Sequence, residues 1–197
     1  MATRAELAEH GHAHVSLRAV ARRAGVSHAA PKYHFEDRAG LLTAVATEGF
    51  DALTVALEAA LEAGEGWPVA ALGKAYIDFG LANPALFDLM FRPSELHPDD
   101  PLLVAAQAGA LGALASAVHD ISGPPASPDD VAELALTSWA LVHGLVVLVR
   151  DGALRAAAGA PGPAAGAELA HRLADVFTDL VVASVAAGSH PPASSPG

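Results

Sequence analysis

Five cations, Arg18, Arg22, Arg23, Lys32 and Arg38, fall in one short stretch with Ser16, Ser27, His28, Ala29, Tyr33 and His34 between them. Guanidinium, ammonium, hydroxyl and imidazole groups gathered this way suit the binding of phosphates and base edges. They do not suit bond breaking. The chain holds no nucleophile–base pairing at recognisable spacing, no phosphate-cradling glycine loop and no H-E-x-x-H run, so no catalytic residue is expected. Cysteine is absent, which excludes disulfides and thiolate metal sites. His10, His12 and His14 alternate around Gly11 and Ala13, a spacing able to chelate an ion weakly. No carboxylate or cysteine frames them, so a solvated loop is expected there, with neither metal nor cofactor.

Two short helices and a turn must position the cationic stretch. Leu17, Val20, Ala21 and Ala24 recur at helical spacing behind Ser16, which can cap them, while Arg18, Arg22 and Arg23 point away from that stripe. Gly25 suits the left-handed residue that stops a helix. Val26 is expected to plug inward and Ser27 to cap a second helix from His28, with Pro31 tolerable in its first turn. Helix, glycine turn and helix at this spacing make a helix-turn-helix, whose second helix enters the major groove of DNA.

The run AVARRAGVSHAAPKYHFEDRAGLLTAV resembles the DNA-binding domain of TetR-family transcriptional repressors. The shared pattern is A-x-x-A-G-V-S, then H-F, then an acidic/basic pair before a leucine, within about fifty residues from His14. The resemblance implies an all-α homodimer that binds double-stranded operator DNA, with a variable C-terminal domain sensing a small molecule. It implies that Ser16, Arg18, Ser27, His28, Ala29, Lys32, Tyr33, His34 and Arg38 form the DNA-binding set. Lys32 and Tyr33 are suited to phosphates and His28 to a base edge, while Arg38 resembles the family's phosphate-gripping residue. His34 stands at the margin of the set, since His34 and Phe35 fit the small core better.

A net charge of −11 is unusual for such a partner, but its distribution is not uniform. Six basic against four acidic residues give residues 1–38 a charge of +2, leaving −13 on the remainder. Phosphate binding depends on local cations, so a basic end on an acidic body is compatible with DNA. Five of the ten histidines add titratable charge to the basic end.

The remainder shows helical periodicity and no strand pattern, which makes the fold all-α: an N-terminal three-helix helix-turn-helix domain plus a C-terminal helical ligand-binding and dimerisation domain. A first helix is expected over residues 2–10. Residues 38–63 should form one long helix with Leu41, Leu42, Val45, Ala46, Phe50, Leu53, Leu57 and Leu61 buried, a rod that in the family relays ligand binding. Further helices are expected at 67–82, 84–91, 101–121, 129–150 and 164–187, with a Gly/Ala/Pro linker at 152–163. The domains divide as 1–45 and 46–188, and residues 189–197 should be a disordered tail.

Residues 131–149 approach membrane-spanning length, yet Glu133, Thr137, Ser138 and His143 interrupt them and no basic cluster adjoins. No leader opens the chain, so a cytoplasmic protein with no membrane partner is expected. A helix apolar on all sides must be buried, and two such helices exceed what one small monomer hides. A homodimer is therefore expected through Ala140, Gly144, Val147, Leu173, Val176 and Leu180. Trp139, His143 and Gly144 spell W-x-x-x-H-G, which resembles one TetR subgroup named for those residues. Tyr76, Phe79, Phe87, Met90, Phe91, Leu111, Leu114, Trp139 and His143 could line a pocket for a small apolar or weakly polar effector, or serve as ordinary core. The short first helix and the order Lys32-Tyr33 leave a second reading open, a relative that binds a small molecule and no longer reads DNA.

Overall fold

Ser16, Gly25 and Asp37 decide where the first elements begin and end in the computed structural model, which describes residues 2–27, 35–122, 127–159 and 164–188. Helix α1 (Ala2–His10) leads into a 3-10 turn (His12–His14), and α2 spans Leu17–Ala24. Ser16 Oγ accepts from the Ala19 amide at 3.1 Å, the expected N-cap. Gly25, at φ 67°, donates to Arg22 O while the Val26 amide reaches back to Ala21 O. This paired closure satisfies the last carbonyls of α2. Val26 does not plug inward, however; its side chain is 48% exposed, because backbone bonds alone close the turn and leave it outside.

Asp37 opens α3 (Arg38–Glu62) by accepting from the Gly40 amide at 2.8 Å, a bond that holds its carboxyl below the usual range. Leu41, Leu42, Val45, Ala46, Phe50, Leu53 and Leu57 are buried along α3, whereas Leu61, near the fraying end, is half-exposed. Next come α4 (Pro68–Ala82), α5 (Pro84–Met90), a 3-10 turn (Pro93–Glu95) and α6 (Pro101–Ser122). Helix α7 (Pro128–Arg150) begins on a Ser127 cap, with Pro128, Asp129 and Asp130 in its first turn. The expected linker contains a helix, α8 (Ala153–Ala158), set between left-handed Gly152 and Gly159. Its alanines supply the helix propensity that the glycines and prolines around them obscured. The last helix, α9, spans Ala164–Gly188. Among the described residues the fold is all-α, and the tail at 189–197 lies outside them.

The chain packs as two compact units. One comprises Met1–Ala56 with Phe79–Leu111, the other Leu57–Asp78 with Gly112–Gly197. In the first, α1 packs on α2 and α5. Gly49 lets α3 approach α5 so closely that a Cβ there would lie 2.8 Å from Met90 Sδ. Phe91 meets Phe50 edge-on, with ring centroids 5.5 Å apart. In the second unit α7 packs on α8 and α9. Gly73 brings α4 against both long helices, its Cβ position lying 3.3 Å from Val142 and 3.6 Å from Ala174. Lys74–Asp175 at 2.7 Å and His171–Asp78 at 2.8 Å clasp α4 to α9 along the rim.

Three of the described helices, α3, α6 and α7, are long and apolar enough to cross a membrane by length and composition. Sequence alone had singled out only the last. In α3 half of that apolar surface is covered within the chain.

Candidate functional site

Helix α2 carries three arginines, and the structure uses them differently. Arg18 and Arg22 are exposed and have no ion pair among the described residues, as a phosphate-binding face requires. Arg23 is exposed with them, as expected, but its Nε donates to Glu6 Oε1 at 2.6 Å, and its two terminal nitrogens grip Glu9, tying α2 to α1. These bonds raise the guanidinium pKa further, first through Glu9 and then Glu6, and depress that of Glu9. The sharing makes physical sense because Glu6 is buried and needs a counter-charge.

Ser16 is exposed but its Oγ already accepts the capping bond, which leaves its hydroxyl proton for another partner. His28, Ala29, Lys32, Tyr33 and His34, with Pro31, lie outside the described residues.

Arg38 departs furthest from what the resemblance implied. Its Nε donates to Val15 O at 2.9 Å, one terminal nitrogen to His12 O at 2.6 Å, and the other to Glu95 Oε2 at 2.6 Å. Arg38 lowers the Glu95 pKa, chiefly through that hydrogen bond. The expected solvated loop is instead a built turn: His14 Nδ1 lies 2.9 Å from His10 O, and buried His12 Nδ1 lies 3.8 Å from Glu95 Oε1. Nearby, the His97 amide donates to Thr43 Oγ1 at 2.8 Å and His97 Nε2 lies 3.1 Å from Asp37 Oδ1. Sequence reasoning missed Glu95 and His97, because both sit in what reads as a plain loop.

The expected ligand residues separate between the units. Tyr76, Leu114, Trp139 and His143 belong to the second, Phe79, Phe87, Met90, Phe91 and Leu111 to the first. In the second unit Trp139 Nε1 donates to the Tyr76 hydroxyl at 3.1 Å, and that hydroxyl lies 3.0 Å from His143 Nδ1. An indole only donates, so the hydroxyl accepts from Trp139 and shares a second hydrogen bond with His143 Nδ1. Burial raises the Tyr76 pKa and lowers that of His143, so the group offers hydrogen bonds without charge near neutrality. Leu114 is half-buried. In the first unit the Phe87 and Phe91 rings meet at a tilt of 58° with centroids 4.9 Å apart, Met90 packs at Gly49, Phe79 is half-buried and Leu111 is exposed.

Of the residues expected at the subunit interface, Ala140, Val147, Val176 and Leu180 are exposed, and Gly144 and Leu173 are half-buried. Leu180 is 65% exposed. Leu136 and Leu148 extend the apolar face; the helical step from Leu136 to Ala140 and Val147 was a signal available in the sequence.

Residues 1–45 match the family model described as bacterial regulatory proteins, tetR family. Residues 69–177 match that of the tetracyclin repressor-like C-terminal domain. Among solved structures, a protein of unknown function from Rhodococcus sp. RHA1 is 35% identical, with 89% of each chain covered and a TM-score of 0.73. A candidate transcriptional regulator from Pseudomonas aeruginosa PAO1 shares the fold at 20% identity, over 92% of this chain and 87% of that one, with a TM-score of 0.64. No curated protein matches the chain.

Proposed function

The chain belongs to the TetR family of bacterial regulatory proteins, and on that premise we propose that it is a cytoplasmic, homodimeric repressor released from operator DNA by a small molecule. Residues 1–45 read the DNA, and residues 46–188 bind the effector and the second copy. The observation that carries this reading is the apolar face of α7 and α9, where Leu136, Val147, Leu148, Val176 and Leu180 stay exposed in a single chain. A second copy related by a twofold axis would cover that face with its own equivalent. Two helix-turn-helix motifs, with Arg18 and Arg22 exposed on each α2 for phosphates, then meet two half-sites of a palindromic operator.

Tyr76, Trp139 and His143 provide the polar groups of the effector site, and their neutrality favours an uncharged, weakly polar effector. The effector acts by favouring a conformation whose two reading helices are wrongly spaced for the operator. The test is a pull-down of genomic fragments on the purified full chain at about physiological salt, with light scattering to give the assembly state. One palindromic site recovered by a dimer is expected. A folded dimer that recovers no fragment would reject repression and leave a small-molecule binder; a monomer would reject the interface.

A further inference from the structure

We propose that Arg38 is a positioning residue rather than a phosphate contact, and that Glu95 is the residue through which the C-terminal region holds α2, the first helix of the helix-turn-helix, in place. The proposal rests on the DNA-binding reading for its main test and extends it to the regulation of that site.

The geometry is a three-way fork. Arg38 sits in the first turn of α3 and spends its nitrogens on His12 O, Val15 O and Glu95 Oε2. The two carbonyls bracket the segment that ends at Ser16, the cap of α2, so the fork sets where α2 begins. A planar guanidinium can hold three acceptors at fixed angles, which an ammonium cannot. Glu95 supplies the only charged partner of the three, and a charge-assisted bond of this kind is the strong member of such a set. A guanidinium so occupied has little left with which to bind a phosphate.

Glu95 is distant in sequence and lies between α5 and α6, within the region that matches the C-terminal regulatory domain. It packs in the same compact unit as the N-terminal helices. Two residues on, His97 grasps the same end of α3 through Thr43 and through Asp37, the N-cap of α3. Helix α5, just before this segment, packs on α1 and on the His12–His14 turn. Any rearrangement of the segment between α5 and α6 therefore reaches the start of α2 through Glu95 and Arg38. The start of α2 is thus tied to a residue 57 positions beyond Arg38.

The substitution Glu95→Gln discriminates sharply, because charge and position predict opposite signs. Removing a negative charge near a DNA-binding surface should strengthen binding if only long-range electrostatics matter. The positioning role expects weaker binding, by about tenfold, the worth of one charge-assisted bond. The probe is the duplex that the native full chain selects from a random pool, titrated at several salt concentrations. Glu95→Gln and Arg38→Lys should both weaken binding with an unchanged salt slope, and the double variant should be no worse than either alone. Tighter or unaltered binding by Glu95→Gln would overturn the proposal. So would an Arg38→Gln variant whose salt slope falls by about one unit while Arg38→Lys binds normally, the signature of a phosphate contact.

A second measurement needs no DNA. Backbone amides of Leu17–Ala24 should exchange faster in Glu95→Gln, with those of α7 unchanged. Equal exchange at Leu17–Ala24 would reject the brace even if no duplex is ever selected. Absence of a selected duplex together with faster exchange would instead sink the DNA-binding reading and leave the brace standing.

Discussion

The Tyr76 hydroxyl lies 3.0 Å from His143 Nδ1 while accepting the Trp139 indole proton, so one buried oxygen joins α4 to two successive turns of α7. Removing it in Tyr76→Phe takes one hydrogen-bond partner from each of two half-buried side chains at once. A loss of about 1–3 kcal/mol of unfolding free energy is expected, the ordinary worth of hydrogen bonds at a partly buried site. Denaturant unfolding at constant protein concentration measures it. Effector affinity, once a ligand is in hand, should fall more than the stability loss explains.

The pH dependence of stability carries a sign that His143 fixes. Burial lowers its pKa in the folded protein, so the unfolded chain binds the proton more readily. Stability is therefore complete above the ordinary histidine range and is lost as pH falls through that range, until the folded form too is protonated. His143→Gln should flatten this portion of the curve when native and variant are melted between about pH 8 and 5. A second decline, in more acidic solution, belongs to Glu9, Asp37 and Glu95. Their carboxyls are held low by Arg23, by the Gly40 amide and by Arg38 respectively, so their contribution is lost as pH falls through the depressed values.

The arginines of α2 should divide by role. Arg18→Ala and Arg22→Ala are expected to weaken operator binding on all sequences and each to reduce the salt slope by about one unit. Arg23→Ala should instead lower the thermal midpoint, because Glu6 is left buried without its counter-charge. Salt titrations paired with melting curves separate the two outcomes.

Leu180→Lys tests the dimer. The side chain is 65% exposed in the single chain, so the folded helix should survive the change. A charge buried at a subunit interface without a partner is costly, and light scattering should find monomer where the native chain is dimeric. An unaltered dimer would place the interface elsewhere.

Two glycines with different surroundings should respond in opposite directions. A Cβ at Gly49 would lie within 3.1 Å of Met90 and Leu86, both buried, so Gly49→Ala should destabilise by up to about 2 kcal/mol after its gain in helix propensity. Among the described residues outside its own helix backbone, nothing lies within 4 Å of a Cβ at Gly144. Gly144→Ala should stabilise the isolated fold by about 1 kcal/mol and, if a partner helix crosses there, loosen the dimer. Melting curves taken over a range of concentrations would show both effects.

What the amino-acid sequence determined by itself was local. Helical periodicity along 38–62, the serine cap and glycine stop of α2, and the apolar stretches of α7 and α9 are written in neighbours a few residues apart. Such signals depend on backbone geometry and hydrogen bonds inside one element, and they suffice for the all-α fold and the family. Where local signals conflicted, as with alanines among glycines at 153–158, a short helix went unread.

The tertiary structure alone decided which polar groups meet. Arg38 and Glu95 are separated by 57 residues, Tyr76 and Trp139 by 63, and no spacing rule links either pair. Arg18, Arg22 and Arg23 look alike in sequence; only the arrival of Glu6 and Glu9 from α1 gives the third a different set of partners. An ion pair or a buried hydrogen bond acts over a few ångströms of space, and the chain fixes that distance only once every helix between the partners has packed.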